Sequence, residues 1–301
     1  MLWIPITLGA AGLQVARNAV QRGLLGDAGP WGATLVRFLF GLPFSLAFTA
    51  LAFALAPGAS FDLSPAFALA AGAGAIAQVL ATAALLVAMR RAGFAVATAL
   101  QQSSLPLAAI IGLAIFGDRL SLPAWTGVAA TTLGFAILSS PRGSGPRREA
   151  DPGAPAPLTG ALFGLASGLA FGFSLNAFRH AVLLLSPGHP AVSSLATVAL
   201  VQALQSVGLL IWLAWRDPGA VRAVAGGWRA SLGAGLFGAL ASAGWFFALA
   251  LAPAAPVRAL GMIEVPIAAL AGRRLFRERL GARQVIGGGA ILAGVALTIL
   301  G

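Results

Sequence analysis

Apolar residues run along this chain in blocks of about 20, the length that crosses a bilayer core as an α-helix. Ten blocks can be drawn, at 2–23, 31–55, 65–88, 94–116, 122–139, 158–180, 190–214, 230–250, 255–276 and 283–300. Gly, Pro, Asp and Arg punctuate the short connections between them. One connection is of another kind: Ser140 to Pro157, SPRGSGPRREADPGAPAP, is Pro/Gly-rich and charged. It reads as a flexible linker separating five spans from five. The expectation is an all-α polytopic membrane protein of ten transmembrane helices, with one unit over 1–139, a linker over 140–157 and a second unit over 158–301.

The two halves repeat each other. Ser104 to Gly127, SLPLAAIIGLAIFGDRLSLPAWTG, aligns without a gap on Glu264 to Gly287, EVPIAALAGRRLFRERLGARQVIG. Pro106 falls on Pro266, Gly112 on Gly272, Phe116 on Phe276, Asp118 on Glu278, Arg119 on Arg279, Leu120 on Leu280 and Gly127 on Gly287. Apolar segments match Leu and Ala by chance; they do not match Pro, Phe, an acid-Arg-Leu turn and two Gly in one register. The same offset of 160 brings Ala81, Ala83, Ala88 and Ala92 onto Ala241, Ala243, Ala248 and Ala252. Because five is odd, two five-span repeats in tandem insert with opposite orientation. Inverted repeats are a mark of secondary transporters, whose site lies near the midplane between the halves.

Composition agrees. The 301 residues are 59% hydrophobic and 9% charged, with mean hydropathy +0.92. A soluble domain carries about 25% charged residues. Strands of alternating polarity, which a barrel needs, are absent. With no Cys, disulfides and thiol chemistry are excluded. The net charge of +11 does not indicate nucleic acid, because the arginines sit in loops. Those after the odd-numbered spans hold Arg22, Arg90, Arg91, Arg142, Arg147, Arg148, Arg216, Arg222, Arg229, Arg273, Arg274, Arg277, Arg279 and Arg283. The positive-inside rule then puts the odd loops in the cytoplasm and both termini outside. The first span reads as uncleaved, with no basic region or separate cleavage site before it.

Polar residues within spans are costly and should face the bundle interior. Gln14, Arg17, Asn18 and Gln21 share one face of the first span. Gln14 and Asn18 are candidates to line a pathway. Arg17 either meets an anionic group or snorkels to the interface. Arg37 needs a substrate carboxylate, a structural partner or an escape to the interface. Gln78 stands alone among small residues, the setting of an interhelical tie. Thr98, Gln101 and Gln102 share a face directly before Ser104 and Pro106. Pro106 has no N–H for the carbonyl one turn earlier, so a kink is expected beside the amides. In the second repeat Thr98, Gln101, Gln102 and Ser104 become Arg258, Gly261, Met262 and Glu264, ahead of Pro266. Unlike chemistry on a repeated frame suits a substrate with two unlike ends. Glu264 is the one acid well inside a span; it can carry a proton, bind an ammonium, or pair with Arg17, Arg37 or Arg258. Asn176, Arg179 and His180, then Ser194, Thr197, Gln202 and Gln205, form two further polar faces. Trp245, Phe246 and Phe247 can floor an apolar pocket or face lipid. Gly233 to Gly238 fits G-x-G-x-x-G, but no strand precedes it, so helix packing explains it better than a dinucleotide.

The repeated P…F-G/R-D/E-R-L…G pattern and the five-plus-five layout resemble the drug/metabolite transporter superfamily, and within it the ten-span EamA-type members. Pro106, Asp118, Arg119, Leu120 and Gly127 carry the first copy, and Pro266, Glu278, Arg279, Leu280 and Gly287 the second. The resemblance implies alternating access through a central cavity. It also implies export of small metabolites, amino acids and aromatic amino acids among them, across a bacterial inner membrane. Drugs or other small organic solutes are the alternative cargo. A membrane scaffold or intramembrane enzyme is a weaker alternative: the chain has two His, no Cys and no paired acids. No cofactor or metal, no nucleic-acid partner, a monomer in the lipid bilayer, and proton coupling through Glu264 complete the expectations. The family's usual topology puts the termini inside, opposite to the arginine count.

Overall fold

The structure is a computed structural model, describing residues 1–22, 25–92, 94–139, 157–263 and 282–300. Among these every regular element is a helix. We number them α1 (Trp3–Arg22), α2 (Leu25–Leu39), α3 (Leu42–Leu55), α4 (Pro65–Ala92), α5 (Phe94–Gln101), α6 (Ser104–Phe116), α7 (Leu122–Ser139), α8 (Pro157–Leu185), α9 (Pro190–Arg216), α10 (Pro218–Gly226), α11 (Trp228–Leu251), α12 (Ala254–Gly261) and α13 (Ala282–Leu300). Five segments are long and apolar enough to cross a membrane: Trp31–Leu55, Pro65–Met89, Leu158–Leu185, Pro190–Arg216 and Ser231–Leu251. Glu264, Pro266, the acid-Arg-Leu turn of the second copy and nearly all of the linker lie outside the described residues.

Two of the expected spans are not single helices. The second stops at Leu39 and restarts at Leu42; the fourth stops at Gln101 and restarts at Ser104. Proline explains both. Pro43 and Pro106 lack the N–H that would bond the carbonyl four residues back. Those carbonyls belong to Leu39 and Gln102. Gln102 O accepts from Leu105 N instead, at 3.1 Å. One helix outside the expected spans, α10, begins at Asp217-Pro218. The Asp217 carboxylate caps Ala220 N at 3.1 Å and proline fills the first turn, the preferred chemistry at both positions.

The chain forms two compact units, Met1–Val79 with Phe173–Val257, and Leu80–Gly172 with Arg258–Gly301. In the first unit α1 packs on α11, and α2 and α3 pack on α9. The core is built of small residues and a few rings: Phe178 and Phe246 meet at 4.7 Å between centroids. Gly235, inside the G-x-G-x-x-G run, sits in α11 against the Phe40 backbone, where a Cβ would fall 2.9 Å from the Phe40 Cβ. That glycine serves helix packing. Ala220 and Val224 of α10 bury against Leu35, Val36, Phe38, Leu209 and Leu213. Exposed Trp215 and Trp228 flank α10 together with Arg216 and Arg229, and Arg222 lies within it, the composition of a membrane–water interface.

In the second unit α7 and α13 pack closely and antiparallel. A Cβ on Gly127 would fall 2.5 Å from Gly294 O, and one on Gly134 would fall 2.7 Å from Gly287 O. The N-terminal half of α8 brings Gly160, Gly164, Gly168 and Gly172, spaced by four, against Ala92, Leu100, Ser103 and Ala108 in turn. This stripe lets α8 lie directly on the α5–α6 break, because small residues permit backbones to approach. Ser167 adds a tie, its Oγ donating to Ala81 O at 2.8 Å.

Arg179 is one expected lining residue that the structure assigns to another task. Its Nη1 donates to Leu249 O and Ala252 O, both at 2.8 Å. A cation there satisfies carbonyls left over at the C-terminus of α11 and complements the helix dipole. Arg179→Gln is expected to cost roughly 1–3 kcal/mol, since charge-assisted bonds are lost at a part-buried site. Thermal unfolding of the purified variant in detergent checks this; an unchanged Tm would show the cap to be dispensable.

Candidate functional site

A turn precedes both copies of the repeated stretch at the same place. Helical structure gives way to turn at Gln102–Ser103 and again at Met262–Ile263, positions 160 apart. The hydrogen bonding matches: Ser103 N donates to Leu100 O, and Ile263 N to Leu260 O, each at 3.1 Å. Pro106 lies four residues after Gln102 on the far side of the first break. Pro266 holds the corresponding position in the sequence, outside the described residues.

Arg258, in α12 just ahead of the second break, reaches the first. Its Nε donates to Ser104 Oγ at 3.2 Å and its Nη2 to Gln102 Oε1 at 2.5 Å. Three of the expected site residues are thus brought together within the second unit. Ser104 is buried and opens α6; Arg258 and Gln102 remain partly accessible. The electrostatics favour an anion. A helix N-terminus carries about half a positive charge, and here a guanidinium sits at the first residue of a 13-residue helix. Ser104 Oγ and Gln102 Oε1 accept from that guanidinium beside the positive end of the helix. Gln101, beside them, is half-buried.

A second polar group lies in the first unit, along α9. Gln202 Oε1 accepts from Ser45 Oγ at 2.7 Å. Gln205 Nε2 donates to Gln78 Oε1 at 2.9 Å and to Ala75 O at 3.1 Å. Gln78 is therefore a tie between α4 and α9. Arg37, on α2, is different. Its Nε is buried and donates to nothing described, and its recorded neighbour is the Phe38 ring, 5.2 Å from the guanidinium carbon. On insertion scales an arginine at bilayer depth costs about 2.5–3.5 kcal/mol. Asn176 is buried on α8 and Gln14 half-buried on α1, four residues from Ala10, whose Cβ approaches Gly244. Asn18 lies on α1; its side chain and those of Arg17 and Thr98 are outside the description. Trp245 packs part-buried against the Phe178–Phe246 core, its Nε1 buried and without a described acceptor.

Polar spacing alone did not single out Ser45 or Ser206. Both are buried and face this same region of α9. Ser206 completes the 202, 205, 206 face, a signal that was available in the helical period.

Among the described residues the chain is helical throughout, with five apolar segments long enough to cross a membrane and a guanidinium at the α5–α6 break. Residues 158–300 match the EamA-like transporter family. Solved structures share the fold. One crystal structure superposes with TM-score 0.64 over 99% of this chain and 96% of its own, at 17% identity. No curated protein matches the chain.

Proposed function

We propose that this protein is a secondary transporter exporting small amphipathic metabolites, amino acids foremost, by alternating access between two inverted five-span repeats. The carrying observation is Arg258 of the second repeat on Ser104 and Gln102 of the first, at the helix break. Broken helices expose backbone and positive helix ends at membrane depth, which transporters use to hold anionic substrate groups. Arg258 and the α6 N-terminus would take the carboxylate.

The inverted arrangement has support in the α7–α13 contact. Under the offset of 160, Gly127 corresponds to Gly287, Gly134 to Gly294, and Leu138 to Thr298. Gly127 meets Gly294 while Gly134 meets Gly287; Gly127 meets Thr298 while Gly287 meets Leu138. Each contact has its exchanged counterpart, as in a two-fold interface. An antiparallel pair related this way has its axis across the helices, in the plane of a membrane. The expected setting is a bacterial inner membrane and the working form a monomer.

The test is counterflow in liposomes containing the purified protein, with a panel of amino acids, hydroxy acids and small organic cations, with and without a pH gradient. Accumulation of carboxylate-bearing solutes above empty vesicles is expected. Accumulation of none of them, or of the cations alone, overturns the reading.

A further inference from the structure

Arg37 is the charged group that the helix breaks leave unexplained. It donates no described hydrogen bond and forms no described ion pair, although its Nε is buried. Among the other buried atoms in that condition are Ser206 Oγ, in a residue 2% exposed, and Gln205 Oε1, in a residue 3% exposed. The register brings all three to one level of the first unit. Trp31 on α2 stacks on Trp212 of α9, with centroids 4.8 Å apart. Ten residues on, Gly41 lies against the Gln202 amide. α2 and α9 therefore run antiparallel, and at 1.5 Å per residue Arg37 is level with Ser206. The neighbours agree: Leu35, Val36 and Phe38 cluster with Leu209, Leu213 and Val79, and Val79 follows Gln78, the partner of Gln205.

The unmet chemistry is specific. A guanidinium and a hydroxyl call for an oxyanion, and Arg matches a carboxylate bidentately. Gln205 has spent its amide hydrogens on Gln78 and Ala75, so its Oε1 calls for a donor. One small molecule meets both needs when a carboxylate and an N–H or O–H sit on adjacent carbons. A bare halide meets only the first. We propose that Arg37, Ser206 and Gln205 form a binding site in the first unit for a small carboxylate with a hydrogen-bond donor on its α-carbon. The site rests on the unpartnered groups and does not depend on transport at the helix breaks.

Equilibrium binding to the full-length purified protein tests it, read by tryptophan fluorescence and by thermal stabilisation. The probes are sodium lactate, alanine, acetate and chloride. Lactate and alanine are the two sources of the donor, hydroxyl and ammonium, and the tighter of them identifies which one Gln205 takes. Both are expected to bind more tightly than acetate, and acetate more tightly than chloride. Arg37→Gln is expected to weaken the tighter ligand by about 10-fold or more, as loss of a charge-assisted bond does. Ser206→Ala leaves all charges in place and is expected to weaken it by a few-fold; it decides the matter if Arg37→Gln does not fold. The losses are to be measured again with Arg258→Gln as the parent, which removes binding at the helix breaks. No carboxylate binding to the wild type, chloride binding tightest, or affinities unchanged in Arg37→Gln and Ser206→Ala overturn the proposal. Transport measured separately can fail or succeed without altering this outcome.

Discussion

Gly127→Ala is expected to destabilise the second unit strongly. The new Cβ would collide with Thr298 Oγ1, lie 2.5 Å from Gly294 O and 2.7 Å from Thr298 N. A flexible side chain could turn away, but two of these atoms are backbone. Thr298 Oγ1 is itself engaged, donating to Gly294 O at 2.7 Å. The helices must therefore separate, and overpacking of this kind costs about 1–3 kcal/mol, occasionally more. Gly294→Ala meets Thr131 N at 2.5 Å and Gly127 O at 2.6 Å across the same contact. The two losses should not add. Once the first substitution has spread α7 from α13, the second finds space, so the double variant is expected to cost less than the sum. Gly289→Ala is the control: it lies on α13 with nothing within 4 Å of its Cβ, and alanine favours a helix by roughly 1 kcal/mol over glycine. Tm and monodisperse yield in detergent measure all four proteins. A Gly127→Ala variant as stable as Gly289→Ala, or strict additivity of the pair, would mean that α7 and α13 do not meet there.

The five segments of membrane-crossing length were legible because a run of apolar residues has one physical use at this length. What the runs concealed was continuity. Residues 94–116 are apolar enough to read as one helix, and the helix still breaks at Gln102–Ser103, because a proline acts on the carbonyl four residues before it. Counting back four from each proline would have placed this break and the one after Leu39. The kink expected beside the amides is a full interruption at Gln102–Ser103. Helix α10 escaped for the opposite reason: at nine residues it is too short for a span, and only the Asp217-Pro218 start marks it.

The candidate site was legible as faces and not as partnerships. Helical spacing put Gln202 and Gln205 on one side of α9. It had no means of pairing Gln205 with Gln78, 127 residues away, or Gln202 with Ser45, 157 away. Arg258 shows the limit most clearly. Its described partners include Ser104 and Gln102 of the other repeat, which no spacing pairs with it; Glu264, one partner weighed for it, lies outside the described residues. The four-residue glycine spacing of α8 was visible throughout, yet its meaning depends on the break it packs against. Only a folded arrangement supplies that.

Arg258→Gln is expected to reduce transport far more than stability. Glutamine keeps a donor for Ser104 Oγ or Gln102 Oε1, so the fold loses little; the charge facing the α6 N-terminus is removed. Charge-assisted hydrogen bonds are worth about 1.5–3 kcal/mol. At 1.4 kcal/mol per tenfold change, a substrate carboxylate deprived of one binds roughly 10- to 150-fold more weakly. Arg258→Lys keeps the charge and loses the planar fork that reaches Ser104 and Gln102 together, so an intermediate loss is expected. Gln102→Leu removes the acceptor that aims Nη2 and leaves the charge, and should raise KM less than Arg258→Gln does. Initial rates of counterflow against substrate concentration separate these cases, with Tm measured alongside. If Arg258 binds the carboxylate, KM rises in the order wild type, Gln102→Leu, Arg258→Lys, Arg258→Gln while Tm stays nearly level. A uniform fall in Tm with unaltered KM would make Arg258 a structural tie between the two breaks, and the anionic substrate would have to be held elsewhere.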